Sequence, residues 1–275
     1  MATSTTGHDI QLSARAFERI SATVYDACGI MLPKGKEQLV RSRLLQRLRT
    51  LDLASFDTYA DFVDSDKTRV ELRTMIDLVT TNKTSFFREN NHFDYLRETV
   101  VPELVKNGDQ VRIWSAGCSS GEEPTTIAMV LDQALPEAVR RRTKILATDI
   151  SDRILEKARA GDYAPEMFES VPPAARSRYF ESNQDGTWHV GSHLRSMITF
   201  ARLNLLHEWP MKGPFDVIFC RNVMIYFDRP TQTRLVQRFR NLLREGGHLL
   251  IGHSESVDAA AVGLRQVMPA TYVRA

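Results

Sequence analysis

Val111-Arg112-Ile113-Trp114-Ser115-Ala116-Gly117-Cys118-Ser119-Ser120-Gly121-Glu122-Glu123-Pro124-Thr125-Thr126 is the stretch on which the reading of this chain turns. A short apolar run gives way to small residues around two glycines, and Pro124 then opens the apolar-periodic segment Ile127, Val130, Leu131. That is a strand, a glycine turn and a helix start, with proline in a first turn where its missing N–H costs little. Two details separate the turn from those that cradle phosphates: the G-x-G-x-x-G spacing is incomplete, and no Lys-Ser/Thr follows the glycines. Glu122 and Glu123 stand where a phosphate would meet the positive end of the helix. Two carboxylates there repel a pyrophosphate and suit a ligand carrying hydroxyls and positive charge. S-adenosylmethionine, with a ribose, a sulfonium and an ammonium, is such a ligand; an ordinary βα turn with a solvated acidic start reads equally well from these residues alone.

Downstream, strands and helices alternate as in a mainly parallel sheet. Lys144–Asp149 reads as a second strand ending in an acid, with Ser151–Arg159 as its helix. An acid at that place suits ribose hydroxyls, and suits a helix cap as well. Around Asp185-Gly186 a hairpin signal marks a small β insertion at about 179–200, overlapping a third core strand at Met197–Leu203 that runs into Asn204 and Leu205. Phe215–Cys220 is a fourth strand leading into Arg221 and Asn222, at the strand end where open α/β sheets bind ligands. Thr231–Leu243 reads as a helix, His248–Gly252 as a fifth strand, and Leu264–Val267 with Thr271–Arg274 as a terminal antiparallel hairpin. Such a hairpin suits a methyltransferase variant of the Rossmann-like architecture better than a dehydrogenase one.

Upstream, the pattern is all-helical: Ser13–Cys28, Lys36–Leu51, Phe56–Val63 and Lys67–Thr80. Between Asp26 and Asp52 the only acid is Glu37, against Lys34, Lys36, Arg41, Arg43, Arg47 and Arg49. Lys36, Arg43 and Arg47 fall on one stripe of the second helix, which is either a solvated face or a surface for an acidic partner. Thr80–Asn90 then breaks the pattern with a polar run carrying Phe86-Phe87-Arg88, and the aromatic pair argues for packing against the next domain and lining a cleft. The domains expected are 1–80, a linker at 81–91 and 92–275.

Composition bounds the rest. The 275 residues carry a net charge of only +2, which argues against a nucleic-acid partner for the chain as a whole. The opening residues are polar, with no apolar signal core, and no run approaches membrane-spanning length. Three widely spaced cysteines suit a reduced, cytoplasmic protein. His189 and His193 have a metal-like spacing that no cluster completes, so no metal site is expected.

Five motifs occur in order: Thr80-Thr-Asn-Lys-Thr-Ser-Phe-Phe-Arg-Glu89, Trp114-Ser-Ala-Gly-Cys-Ser-Ser-Gly-Glu-Glu-Pro124, Ala147-Thr-Asp-Ile150, Phe215-Asp-Val-Ile-Phe-Cys-Arg-Asn-Val-Met-Ile-Tyr-Phe227 and Gly252-His-Ser-Glu-Ser256. Over nearly the whole chain they resemble the CheR family, the receptor glutamate O-methyltransferases of chemotaxis. The resemblance implies a Rossmann-like S-adenosylmethionine-dependent methyltransferase domain with a small β insertion, preceded by an all-α domain. It implies a cofactor site at Asn82, Thr84, Arg88, Glu123, Asp149, Asn204, Leu205, Arg221 and Asn222, with Arg88 and Tyr226 near the reacting centre. It makes S-adenosylhomocysteine the product and the stripe of Lys36, Arg43 and Arg47 the surface that meets a chemoreceptor's cytoplasmic helical bundle. The chain departs from peptide-binding members at Phe180–Gly186, which is short and lacks their glycine-bearing insertion. That argues against docking of a receptor carboxyl-terminal peptide. A monomer is expected. A methyltransferase acting on RNA would need a broad basic face, whereas basicity here concentrates in one helix; an inactive, cofactor-sensing scaffold of a chemosensory array remains the alternative.

Overall fold

The computed structural model describes residues 10–107 and 110–275. The polar opening stretch lies outside those residues. The chain forms two compact units, Met1–Thr81 and Asn82–Ala275. Among the described residues no helix is long and apolar enough to cross a membrane.

The first unit has four helices, α1 (Ala14–Cys28), α2 (Glu37–Thr50), α3 (Phe56–Ser65) and α4 (Val70–Val79). Ser13 caps α1 by accepting from the Ala16 N–H, and Gly29 ends it in the left-handed region. Phe17, Ile20, Val24, Val40, Leu44, Leu48, Phe56 and Met75 fill the core. The fourth helix begins at Val70 rather than Lys67. Asp66 accepts from the backbone N–H groups of Thr68 and Glu71, and Arg69 sits at φ 60°, so a side-chain-closed turn replaces the first helical turn.

The basic stripe of α2 turns out to be heavily engaged within its own unit. Arg47 forms a forked pair with Glu71 (3.0 and 2.5 Å), and the Glu71 carboxylate, 3% exposed, also accepts from the Tyr59 hydroxyl at 2.8 Å. Arg43 donates to the Val79 and Thr80 carbonyls at the end of α4 and to the Thr81 hydroxyl. Those carbonyls lack intrahelical partners, and a cation there also complements the helix dipole. Lys36 alone of the three is exposed, at the start of α2.

The second unit carries strands β1 (Arg112–Ala116), β2 (Lys144–Asp149), β3 (Asp162–Tyr163), β4 (Phe180–Ser182), β5 (Trp188–Val190), β6 (Ile198–Arg202), β7 (Phe215–Cys220), β8 (Leu243–Ile251), β9 (Leu264–Met268) and β10 (Thr271–Arg274). The main sheet runs β6-β2-β1-β7-β8-β10-β9. Neighbours from β6 to β8 are parallel, and β10 lies antiparallel between β8 and β9. The order reverses at β1, whose neighbours are β2 on one side and β7 on the other. Open sheets of this kind bind ligands outside the strand ends at that switch.

The second sheet, β3-β5-β4, is antiparallel and spans residues 162–190. Its first strand therefore precedes the 179–200 region and the other two lie inside it, ending at Val190; Ile198–Arg202 is the edge strand of the main sheet. A two-residue strand such as β3 leaves no alternation to detect. Phe86 is fully buried and packs on Tyr163, Phe168 and Phe180 at 4.8–5.5 Å, which fixes the segment after Asn82 to this unit. The next helix runs from Asn91–Tyr95 through a π-helical turn at Leu96–Val100 to Val101–Asn107. Cys28, Cys118 and Cys220 are free and buried.

Replacing Glu71 with alanine leaves the buried Tyr59 hydroxyl without its acceptor and Arg47 without its counter-ion. The expected cost to the first unit is about 2–4 kcal/mol. Hydrogen exchange of the α2–α4 amides in the full chain would read it as a matching fall in protection, with β1 and β7 unchanged.

Candidate functional site

The glycine turn is fixed by its neighbours on three sides. Gly117 and Cys118 donate their N–H groups to the Thr148 carbonyl (2.7 and 2.9 Å) at the end of β2. Gly117 takes φ +85°, and a Cβ there would lie 2.3 Å from a methyl of Val223, so the turn and the loop after β7 pass too closely for any side chain. Ser119, itself at φ 50°, donates its N–H to Asp149 Oδ2 at 2.9 Å, while Ser151 donates to Oδ1 at 3.0 Å. The acid closing β2 is thereby aimed by backbone from both sides. Ser119 also donates its hydroxyl to the Asn82 carbonyl, tying the segment that opens this unit to the turn.

The helix begins at Glu122, two residues before Pro124. Its two acids do different work. Glu122 is fully buried, and burial pushes its carboxyl up against the opposing hydroxyl bond from Ser120. Glu123 accepts from the Ser115 hydroxyl at 2.7 Å and from Arg221 Nε at 2.8 Å. The case against a phosphate ligand therefore rests on an acid pushed toward neutrality and an acid–arginine pair, rather than on two outward charges.

Arg221 is the hub of the site. Its side chain is 2% exposed, and each guanidinium nitrogen has a protein partner: Nε with Glu123, one terminal nitrogen with His92 Nδ1 at 3.1 Å, the other with the Arg88 carbonyl at 2.7 Å. Arg221, an expected cofactor-site position, uses its side chain to join the Arg88 segment, the helix after the turn and the end of β7. Because Arg221 donates to Nδ1, His92 carries its proton on Nε2. Burial first, then the adjacent guanidinium, lowers the His92 pKa to about 4, with His253 acting in the same sense and Glu89 opposing.

After β7 the chain turns sharply. Asn222 has φ 59°, Val223 follows, and Met224–Tyr226 forms a 3₁₀ turn. The Glu255 carboxylate accepts from the N–H groups of Gly252 (2.6 Å), Asn222 (3.0 Å) and Ile225 (3.2 Å). Asn222 donates its amide to Glu89 Oε1, which also accepts the His253 N–H. Burial pushes Glu255 up, against the pull of these N–H groups. Half-buried Tyr226 has no partner for its hydroxyl among the described residues.

The remaining expected positions lie on the strand-end loops or close to them. Asn204 accepts the Leu206 N–H through its side chain, and the carbonyl of buried Leu205 takes a 2.6 Å bond from Arg238, which also holds the His207 carbonyl. Arg88 donates one guanidinium nitrogen to the Lys83 carbonyl, and Thr84 is half-buried between them. Sequence reasoning gave no role to Glu89, His92, Arg238 or Glu255. Only the adjacency of Glu89 to Arg88 and the Gly252–Ser256 run pointed at two of them. Donor atoms of Glu89, His92 and His253 lie within 4.8 Å of one another, but the Arg221 guanidinium on His92 makes this an ion-pair cluster rather than a cation site. His189, read as a surface histidine, bridges Asp162 and Arg195.

A parallel sheet reversing at β1, a glycine turn, an acid closing the second strand and an antiparallel last hairpin define a Rossmann-like methyltransferase. Residues 82–273 match the family model described as "CheR methyltransferase, SAM binding domain", and residues 15–80 match "CheR methyltransferase, all-alpha domain". The chain is 47% identical over 244 residues to a probable chemotaxis protein methyltransferase of Rhizobium etli, covering 86% of this chain and 91% of that one. It is 40% identical over 271 residues to a chemotaxis protein methyltransferase of Borreliella burgdorferi (96% and 95% covered), and 41% identical over 251 residues to one of Escherichia coli (90% and 86% covered). The chain belongs to the CheR methyltransferase family, with S-adenosylmethionine as methyl donor.

His92 yields a pH signature. Its folded pKa of about 4 lies below the ordinary value near ~6.5, so the unfolded chain takes up the proton first as pH falls. The stability tied to neutral His92 is complete above about pH 6.5 and is lost progressively toward pH 4. Urea unfolding of wild type should weaken by about 2 kcal/mol more than that of His92→Asn between roughly pH 7 and pH 5. Parallel pH profiles would show that His92 is not the titrating group.

Proposed function

We propose that this protein methylates glutamate side chains on the cytoplasmic helices of chemoreceptors, producing glutamyl methyl esters and S-adenosylhomocysteine in chemotactic adaptation. The observation that carries the proposal is that the ends of β1, β2 and β7 each present a held group: Asp149 aimed by the Ser119 and Ser151 N–H groups, Asn222 fixed by Glu255, and the Arg88 segment tied to the end of β7 by the Arg221 side chain. The residues present fit the cofactor. Asp149 is an oriented carboxylate suited to ribose hydroxyls, and we assign Asn82, Thr84, Asn204, Leu205 and Asn222 to the same cofactor site. Glu123, paired with Arg221, stands just past the glycine turn, where a carboxylate suits a ligand without phosphates. When bound, S-adenosylmethionine supplies an electrophilic methyl on a sulfonium.

A receptor glutamate, with an ordinary pKa near ~4.3, is already an oxygen nucleophile at neutral pH, so no general base is required. The demand on the protein is to bring a carboxylate and a cation together, in line and with little water between them. Arg88 keeps one nitrogen on the Lys83 carbonyl and has further N–H groups for the incoming carboxylate; it orients the group rather than clamping it. Tyr226 offers a hydroxyl from the 3₁₀ turn beside Asn222. Recognition of the receptor is assigned to the α2 face, where exposed Lys36 meets acidic residues and Arg43 and Arg47, tied into their own unit, shape the surface. The reading needs no docked receptor peptide and treats the protein as a cytoplasmic monomer.

Arg88→Ala and Tyr226→Phe are each expected to slow labelled-methyl transfer to a receptor cytoplasmic fragment by about 10- to 100-fold. The label should be released by mild base, as an ester requires. Wild-type transfer to RNA instead, or cofactor binding with no transfer to any receptor fragment, would overturn the assignment.

A further inference from the structure

We propose that Glu255 is a positioning residue for the site: its carboxylate holds the Asn222–Tyr226 loop in the conformation that binds cofactor and presents Tyr226. The proposal rests on the reading of this site as a methyltransferase centre. Asn222 sits at φ 59°, a left-handed conformation that asparagine enters more readily than other non-glycine residues, so the sequence permits the turn and leaves it to the surroundings to hold the whole loop in one place.

Three surroundings do so. Gly117 lies under Val223, where an added Cβ would stand 2.3 Å from the valine methyl. Gly252 lies beside Asn222, where an added Cβ would meet its backbone nitrogen at 2.8 Å and its side-chain nitrogen at 2.5 Å. These two contacts limit where the loop can go; neither attracts it. Glu255 supplies the attraction. One carboxylate oxygen takes the N–H groups of Gly252 and Asn222, and the other takes that of Ile225, so a single side chain binds β8's exit to both ends of the turn. Hydrogen bonds to an ionised acceptor are the stronger kind. Glu89 adds a longer bond of 3.3 Å to the Asn222 amide, on its other side.

The chemistry of the carboxylate makes the position hard to replace. Both oxygens accept, and between them they face three donors. A glutamine has one oxygen, so its NH₂ must face at least one backbone N–H, donor against donor. An aspartate keeps the charge but is shorter by one methylene and cannot span from Gly252 to Ile225. Glu255 itself is set to touch neither cofactor nor substrate in this scheme; it acts through Asn222 and Tyr226.

The test uses the full chain and S-adenosylhomocysteine as probe. Glu255→Gln is expected to weaken calorimetric binding of S-adenosylhomocysteine about tenfold, the scale of one lost charge-assisted bond. It should also lower kcat for receptor methylation by a similar factor, leave KM for the receptor fragment unchanged, and leave Ser254→Ala, at an exposed neighbour, like wild type. If Glu255→Gln also melts much earlier, Glu255→Asp decides: a folded Asp variant with the same loss of affinity and kcat supports the role. Wild-type affinity and kcat in either folded variant, or a rise in receptor KM alone, would overturn it. Should wild type bind S-adenosylhomocysteine yet methylate no receptor, the proposed substrate would fail while the binding comparison still judged Glu255.

Discussion

The buried pair of Arg221 with Glu123 is the interaction on which the site depends. Neither partner is more than 9% exposed at its side chain, so both have given up most of their hydration. Such a pair is tolerated only when the remaining donors and acceptors are met. Here they are: Ser115 takes the second Glu123 oxygen, and His92 and the Arg88 carbonyl take the other guanidinium nitrogens. The result is a polar network that joins three pieces of chain far apart in sequence. Removing either charge strands the other, and the loss is felt at the Arg88 segment, the glycine turn and the exit of β7 together. Burial, and then the same guanidinium, keeps His92 neutral, and the guanidinium's bond to Nδ1 sets which of its nitrogens carries the proton.

Around that pair the backbone is unusually constrained. Phe87, Glu89, Ser119 and Asn222 all have positive φ, and all lie on the three segments that Arg221, Asp149 and Glu255 hold. Left-handed non-glycine residues cost of order 1–3 kcal/mol each, and they persist where bonding around them is dense. Here the density comes from carboxylates on backbone N–H groups: Asp149 on Ser119, Glu89 on His253, Glu255 on Asn222. The sheet supplies the frame, since β1, β2 and β7 end side by side at the reversal of strand order. The side chains then fix the loops with few degrees of freedom left.

Much of this was legible in the chain. The strand–turn–helix at Val111–Thr126, the acid after Ala147-Thr148 and the terminal hairpin each carry a local pattern, and local patterns are what a sequence displays. Strand order is not local, so the reversal at β1 had to be seen. Partnerships were the harder part. Nothing in the spacing of Glu123 and Arg221, or of Arg47 and Glu71, says that they meet, and charges that look outward in a sequence are paired in the fold. Asp66 shortened α4 by binding backbone, and β3 is too short to show alternation. Four residues that hold the site, Glu89, His92, Arg238 and Glu255, act on backbone or on other side chains; two of them lie in the motifs, but a motif does not show what a side chain holds.

Cys118 lies in the glycine turn itself, and Cys220 ends β7; both are buried, as is Cys28 in α1. Burial pushes all three thiols up, Cys28 to about 11 and the other two well above the ordinary range, with the nearby acids Asp149, Glu123 and Glu255 adding to the effect. Oxidants and alkylating reagents attack the thiolate, and these thiols have almost none. Two sulfur atoms thus stand at the glycine turn and at the end of β7 as buried thiols, packed as small apolar groups rather than poised as nucleophiles.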